Sequence, residues 1–98
     1  MNEIKFRGGA LIGKARSSWP FVTLTASKEV LTLRIPILGS YVFKPNDVVS
    51  LEPFSVFLNK GIRIKHRVPS YKETIEFWTF KDPHEIVNQI RMIGFPLK

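Results

Sequence analysis

The segment Thr74-Ile75-Glu76-Phe77-Trp78-Thr79-Phe80 runs directly into Lys81-Asp82-Pro83-His84-Glu85-Ile86-Val87-Asn88-Gln89-Ile90-Arg91-Met92-Ile93-Gly94. Its first half is rich in β-branched and aromatic residues and alternates like a strand. Its second half changes period. Asp82 suits an N-cap, Pro83 the first helical position, Glu85 the third position of a capping box, and Gly94 the C-cap. Ile86, Val87, Ile90 and Ile93 form one apolar stripe at helical spacing. The spacing therefore predicts a closing helix, from Asp82 to Gly94, that lays a greasy face over whatever precedes it.

What precedes it is β throughout. Val22, Leu24 and Ala26 alternate, and so do Leu31, Leu33 and Ile35, with the polar Ser27-Lys28-Glu29 between them as a hairpin turn. Leu38-Gly39-Ser40 leads into a brief strand, Tyr41 to Phe43, and Lys44-Pro45-Asn46-Asp47 turns the chain again. Val48 to Phe54 is a fifth strand, which Pro53 should end, bulge or confine to an edge because it has no N–H to donate. Beyond it Phe54, Val56 and Leu58 require a change of register. Asn59-Lys60-Gly61 is expected as a tight turn into Ile62 to Arg67, with Ile62 and Ile64 inward and Arg63, Lys65 and Arg67 outward. Counted with a glycine-bent first strand, seven strands precede the helix.

The 98 residues fit a single domain, with 44% hydrophobic residues and eight Phe to fill its core. The close ending after Gly94 leads us to expect a complete domain. There is no cysteine, which excludes disulfides and thiolate chemistry. The start, Met1-Asn2-Glu3-Ile4-Lys5, lacks the apolar run of a secretory signal, and no window reaches the roughly 20 apolar residues of a spanning helix. The default location is cytoplasmic. A net charge of +7 directs attention to anionic partners. Its distribution is uneven: residues 1–44 carry seven basic and two acidic groups, 45–72 five and two, and 73–98 three and four.

Seven antiparallel strands and a C-terminal helix resemble the pleckstrin-homology-like superfold, in particular its bacterial PH and GRAM-like branches. The residues that carry the likeness are Val22-Thr23-Leu24-Thr25, Val30-Leu31-Thr32-Leu33, Tyr41-Val42-Phe43, Asp47-Val48-Val49-Ser50-Leu51-Glu52 and Gly61-Ile62-Arg63-Ile64, with the closing helix. The resemblance implies a partly open seven-stranded barrel or sandwich capped by the helix. It also implies a module that binds phosphoinositides, peptides or partner proteins. Lys14 and Arg16 stand near the place where the lipid-binding members carry a basic motif.

Two basic groupings are the candidate anion- or lipid-binding residues. Lys60, Arg63, Lys65, Arg67 and Lys72 lie in a stretch with no acid between residues 60 and 72, and are weighed against the somewhat stronger plain reading of a solvated outer face. Lys14 and Arg16, with Ser17 and Ser18, read as a polar loop. Trp19-Pro20-Phe21 is weighed as a membrane-inserting tip against the start of a packed strand. Trp78 and Phe80 are weighed as core beneath the helix against the lining of a peptide groove.

Gly8 to Lys14 satisfies G-x-x-x-x-G-K, but Ala15 replaces the Ser or Thr that holds Mg²⁺ and no helix is expected next. We read it as the bent first strand. His66 and His84 have no partner at ligand spacing, so no metal is expected. Glu73 and Glu76 point to opposite faces of a strand, and no nucleophile–base set can be assembled. No cofactor is expected. The leading expectation is a non-catalytic module for a protein or peptide, reached by extending a sheet edge. Anionic membrane is the alternative, weak nucleic-acid binding a third, and an enzyme comes last.

Overall fold

The computed structural model describes residues 3–97. Met1, Asn2 and Lys98, which the reading of the termini included, lie outside the described residues. Seven antiparallel strands form one curled sheet, a half-barrel closed on its inner side by a single C-terminal helix. The strands are β1 Glu3–Ile12, β2 Ala15–Ser27, β3 Leu31–Ile35, β4 Gly39–Phe43, β5 Val48–Val56, β6 Asn59–His66 and β7 Ile75–Trp78, followed by α1 Pro83–Ile93. Their order across the sheet is β4-β3-β2-β1-β7-β6-β5, so β4 and β5 are its free edges.

Alternation decides the faces. Phe6, Ala10, Ile12, Val22, Leu24, Leu31, Leu33, Ile62, Ile64, Ile75 and Phe77 are buried on the concave side, and their neighbours in sequence face outward. The helix seals this side. Asp82 accepts the His84 N–H at 3.0 Å and Gly94 adopts φ 108 at the C-cap. The capping box does not form, since Asp82 accepts from His84 rather than from the Glu85 N–H, and the Glu85 carboxylate accepts from Gln89 at 3.3 Å. Ile86, Val87 and Ile90 are buried as expected, at about 1.5–3 kcal/mol each, while Ile93 is half-buried. Phe95, just past the αL residue, is fully buried and replaces Ile93 as the last plug.

Three local features depart from the sequence reading. The β5–β6 turn is Phe57-Leu58, two residues earlier than Asn59-Lys60-Gly61, because Val56 already pairs with Asn59. Gly61 serves close approach instead. A Cβ there would sit 2.0 Å from the Phe77 carbonyl oxygen, and one at Gly8 would sit 2.0 Å from that of Trp78. The two glycines let β6 and β1 close on β7 from either side. Second, the register of β5 shifts between Val48 and Ser50, not at Pro53. Pro53 pairs with Ile62 and is accommodated because β5 is an edge, one of the placements expected for it. Third, β2 bulges. Gly8 pairs with Val22 but Ala10 with Ser17, so Ser18 to Phe21 stand opposite Gly9 alone. Arg16, Ser17 and Ser18 are thus strand residues, and only Gly13-Lys14 form the β1–β2 turn.

The edge strand β4 is clasped by a side chain. The Val42 N–H donates to the Tyr71 hydroxyl at 3.0 Å, and that hydroxyl lies 3.4 Å from the Val42 carbonyl it can donate to. Tyr71 is held edge-on against Tyr41 and Phe43. Its loop is tied down by His66, whose Nδ1 accepts the Val68 N–H, leaving Nε2 to donate to the Lys72 carbonyl at 2.8 Å.

Candidate functional site

The outer face of β7 carries Glu76 and Trp78, since Ile75 and Phe77 point inward. Trp78 pairs with Gly9 on one side and Gly61 on the other, so its indole meets no side chain from the directly opposed positions. The Arg16 guanidinium lies 5.6 Å from the ring centroid, and the indole Nε1–H donates to the Glu76 carboxylate at 2.9 Å. Glu76 also accepts from Arg63 Nε at 3.1 Å, and Arg63 stacks over Phe54 at 4.7 Å. A cross-strand ladder of Arg16, Trp78, Glu76, Arg63 and Phe54 therefore fixes the indole in place.

Trp78 is one wall of a cleft of about 230 Å³ that it shares with Trp19, Leu58, Lys60 and Phe80. The β2 bulge supplies Trp19. Phe80 follows the end of β7 on its outward parity, and the two rings meet edge-on at 5.5 Å. Trp19 is 52% exposed, Phe80 72% and Leu58 80%. Neither Trp19, Phe21 nor Phe80 packs in the core, contrary to the packed reading of those residues, and Trp78 is half-buried on the outside. The bulge is the reason for the first two, and outward parity for Phe80. Next to Leu58, Phe57 is 95% exposed with φ 54, a conformation that disfavours a bulky side chain.

Across the Trp19–Phe80 wall lies a second cleft of about 360 Å³, with Lys5, Arg7 and Lys81 on its rim. Lys5 and Arg7 project from the outer face of β1, where Lys5 pairs with Thr25 and Arg7 with Thr23. These three cations, with Leu58, escaped the sequence reading because they come from three separate segments. The usable signal was the pair of bulky apolar residues, Phe57-Leu58, at a place where the chain must turn.

The basic residues named from sequence have different placements. Arg63 is held by Glu76, from a segment outside the acid-free stretch. Lys65 projects from the same face of β6, and Arg67 is exposed just beyond that strand, its N–H on the Asp47 carbonyl. Lys60 has the opposite parity and lines the aromatic cleft. Lys72 lays its aliphatic stem over Gly13, at the β1–β2 turn that also carries Lys14. Arg16 belongs to the Trp78 ladder.

Gly8 to Lys14 runs as strand and turn into β2, with no helix to receive a phosphate. Among the described residues no three His, Asp or Glu side chains gather at metal-binding distance, and no buried side-chain polar atom lacks a partner. Among them, too, no helix is long and apolar enough to cross a membrane. No known protein family, curated protein or solved structure gives a significant match to this chain.

Proposed function

We propose that the chain is a non-catalytic binding module that recognises a protein or peptide partner through the cleft of Trp19, Leu58, Trp78 and Phe80. The observation that carries this reading is the exposure of those side chains around a preorganised indole. Interface energy concentrates in aromatic anchors seated in clefts with polar rims, and an indole already locked by Glu76 and Arg16 loses little freedom on binding. The strand count, curl and closing helix support the pleckstrin-homology-like resemblance, whose members include peptide and protein binders. Extension of a sheet edge is less favoured, because Tyr71 occupies Val42 on β4 and Pro53 withholds a donor on β5. The proposed compartment is the cytoplasm.

The test is selection of a random peptide library displayed on phage, against the immobilised protein and its Leu58→Asp and Trp19→Ala variants. Both sites are exposed, so Leu58→Asp should stay within about 0.5 kcal/mol of the parent's stability in urea, and Trp19→Ala, which loses the edge-on contact with Phe80, within about 1.5 kcal/mol. The expected result is peptides enriched on the parent that lose at least tenfold in affinity on either variant. No enrichment, or equal binding by the variants, overturns the reading.

A second reading, attachment to anionic membrane, is favoured by the placement of Lys72 against the β1–β2 turn that carries Lys14, with Lys65 and Arg67 nearby in sequence on β6 and just beyond it. Each such cation contributes about 1 kcal/mol near an anionic surface. Co-sedimentation with phosphatidylserine-containing and neutral vesicles, at low and physiological salt, tests it. Lys65→Glu/Arg67→Glu is the informative variant, because Arg63 is committed to Glu76.

A further inference from the structure

We infer that the partner is an acidic peptide segment, one apolar side chain of which enters the aromatic cleft while a neighbouring carboxylate crosses the Trp19–Phe80 wall to Lys5, Arg7 and Lys81. This rests on the reading of the cleft as a peptide site and specifies its ligand. The two clefts share Trp19, Thr79 and Phe80, so they are a single divided groove. One side is walled by aromatic and aliphatic side chains with Lys60 in its lining, and the other is rimmed by three cations. Neither side has a carboxylate in its lining.

Among the described residues Lys5, Arg7, Lys60 and Lys81 have no ion-pair partner, because the pair found there joins Arg63 to Glu76. The two carboxylates nearest in sequence are otherwise placed. Asp82 accepts the His84 N–H as the helix cap, and Glu3, two residues before Lys5 on the same outer face, lines a separate cleft with Lys5, Thr25 and Arg34 and makes no ion pair with Lys5. Like charges left unpaired around an apolar groove impose a sign on what enters it.

Spacing follows from the wall. An extended chain advances about 3.3 Å per residue, and the wall is one pair of aromatic rings packed edge-on. An acid within about three residues of the anchor therefore reaches the far side. Such a ligand uses the groove's apolar part for affinity and its cationic part for selection and association rate.

The experiment sequences the phage-selected peptides, and titrates the best of them, as a synthetic peptide, into the parent and a Lys5→Glu/Arg7→Glu/Lys81→Glu variant while following tryptophan emission. The inference expects Asp or Glu enriched within three positions of an aromatic or aliphatic anchor. It also expects affinity that falls with added salt, and a loss of about tenfold or more on triple charge reversal. Peptides that need Leu58 but show no acidic enrichment, and that ignore the reversal, overturn the inference while leaving the cleft as a peptide site. If no peptide binds at all, both are overturned. Binding of phosphatidylserine vesicles that the reversal abolishes, without any acidic peptide selected, overturns the inference and assigns the cationic rim to a membrane surface.

Discussion

Gly61→Ala should destabilise this protein, although the same change in an ordinary strand does the opposite. Gly61 does not have a left-handed φ, so its backbone suits any L-residue. Alanine there would normally add about 0.4–1 kcal/mol by restricting the unfolded chain. The neighbouring strand reverses the sign. The new Cβ would lie 2.0 Å from the Phe77 carbonyl oxygen and 2.9 Å from both the Phe77 carbonyl carbon and Trp78 Cα, all of them backbone atoms that no rotamer change can move. To restore ordinary contact β6 and β7 must part by more than an ångström, and their ladder is three residue pairs, Gly61–Trp78, Ile62–Phe77 and Arg63–Glu76, extended by the Thr79 N–H on the Lys60 carbonyl. Overpacking of this kind costs about 1–3 kcal/mol, and weakening one or two ladder hydrogen bonds adds about 1 kcal/mol apiece. The net expectation is a loss of about 3 kcal/mol, from a total that for a domain of this size is about 5–15 kcal/mol. In thermal unfolding this is a fall of roughly 12–24 °C in Tm. Urea denaturation followed by tryptophan emission measures it directly. A variant as stable as the parent, with an unchanged denaturant slope, would show that the close approach of the two strands is not what requires glycine at position 61.

Tyr71→Phe keeps the ring stack and removes the hydroxyl from Val42, so it should cost about 1 kcal/mol and accelerate hydrogen exchange at the Val42 amide; unchanged exchange would refute the clasp. Phe57→Asn should raise stability by about 0.5–1 kcal/mol in a urea titration, because asparagine tolerates the left-handed region better than phenylalanine and Phe57 buries almost nothing. A loss of stability there would mean that the tip contributes packing after all. Asp82→Ala removes the helix cap and should cost about 1 kcal/mol, visible as a lower urea midpoint with the same slope.

The helix was the most legible part of the molecule because its signals are local: a cap, a proline, a stripe and a glycine act within a few residues of one another. Strand count and inward faces were legible for the same reason, as in Leu31, Leu33 and Ile35. Pairing was not. Glu76 reaches Arg63 only because β6 lies beside β7, and nothing in the run from Lys60 to Lys72 announces a carboxylate across the ladder. Gly61 reads as a turn residue by composition, yet its use is contact with a strand some 16 positions on, a demand that turn chemistry does not encode. The candidate site was legible in fragments. Trp19, Trp78, Phe80 and Lys60 each stood out, but joining them required the β2 bulge, a register event between Gly8 and Ala10 that hydrophobic alternation cannot locate. Phe57-Leu58 was obscured by Asn59-Lys60-Gly61, a better turn sequence that the chain uses as strand.

Tyr71 can be described as a chain terminator. A β-sheet is a one-dimensional polymer of strands, and an unoccupied rung invites the next monomer, including another copy of the same protein. Here one phenol ends the growth at β4 with a group that can both accept and donate, as a peptide unit would, but offers no further rung. At β4 that rung is closed by a single oxygen atom, and its removal should leave the Val42 amide and carbonyl open to a further strand.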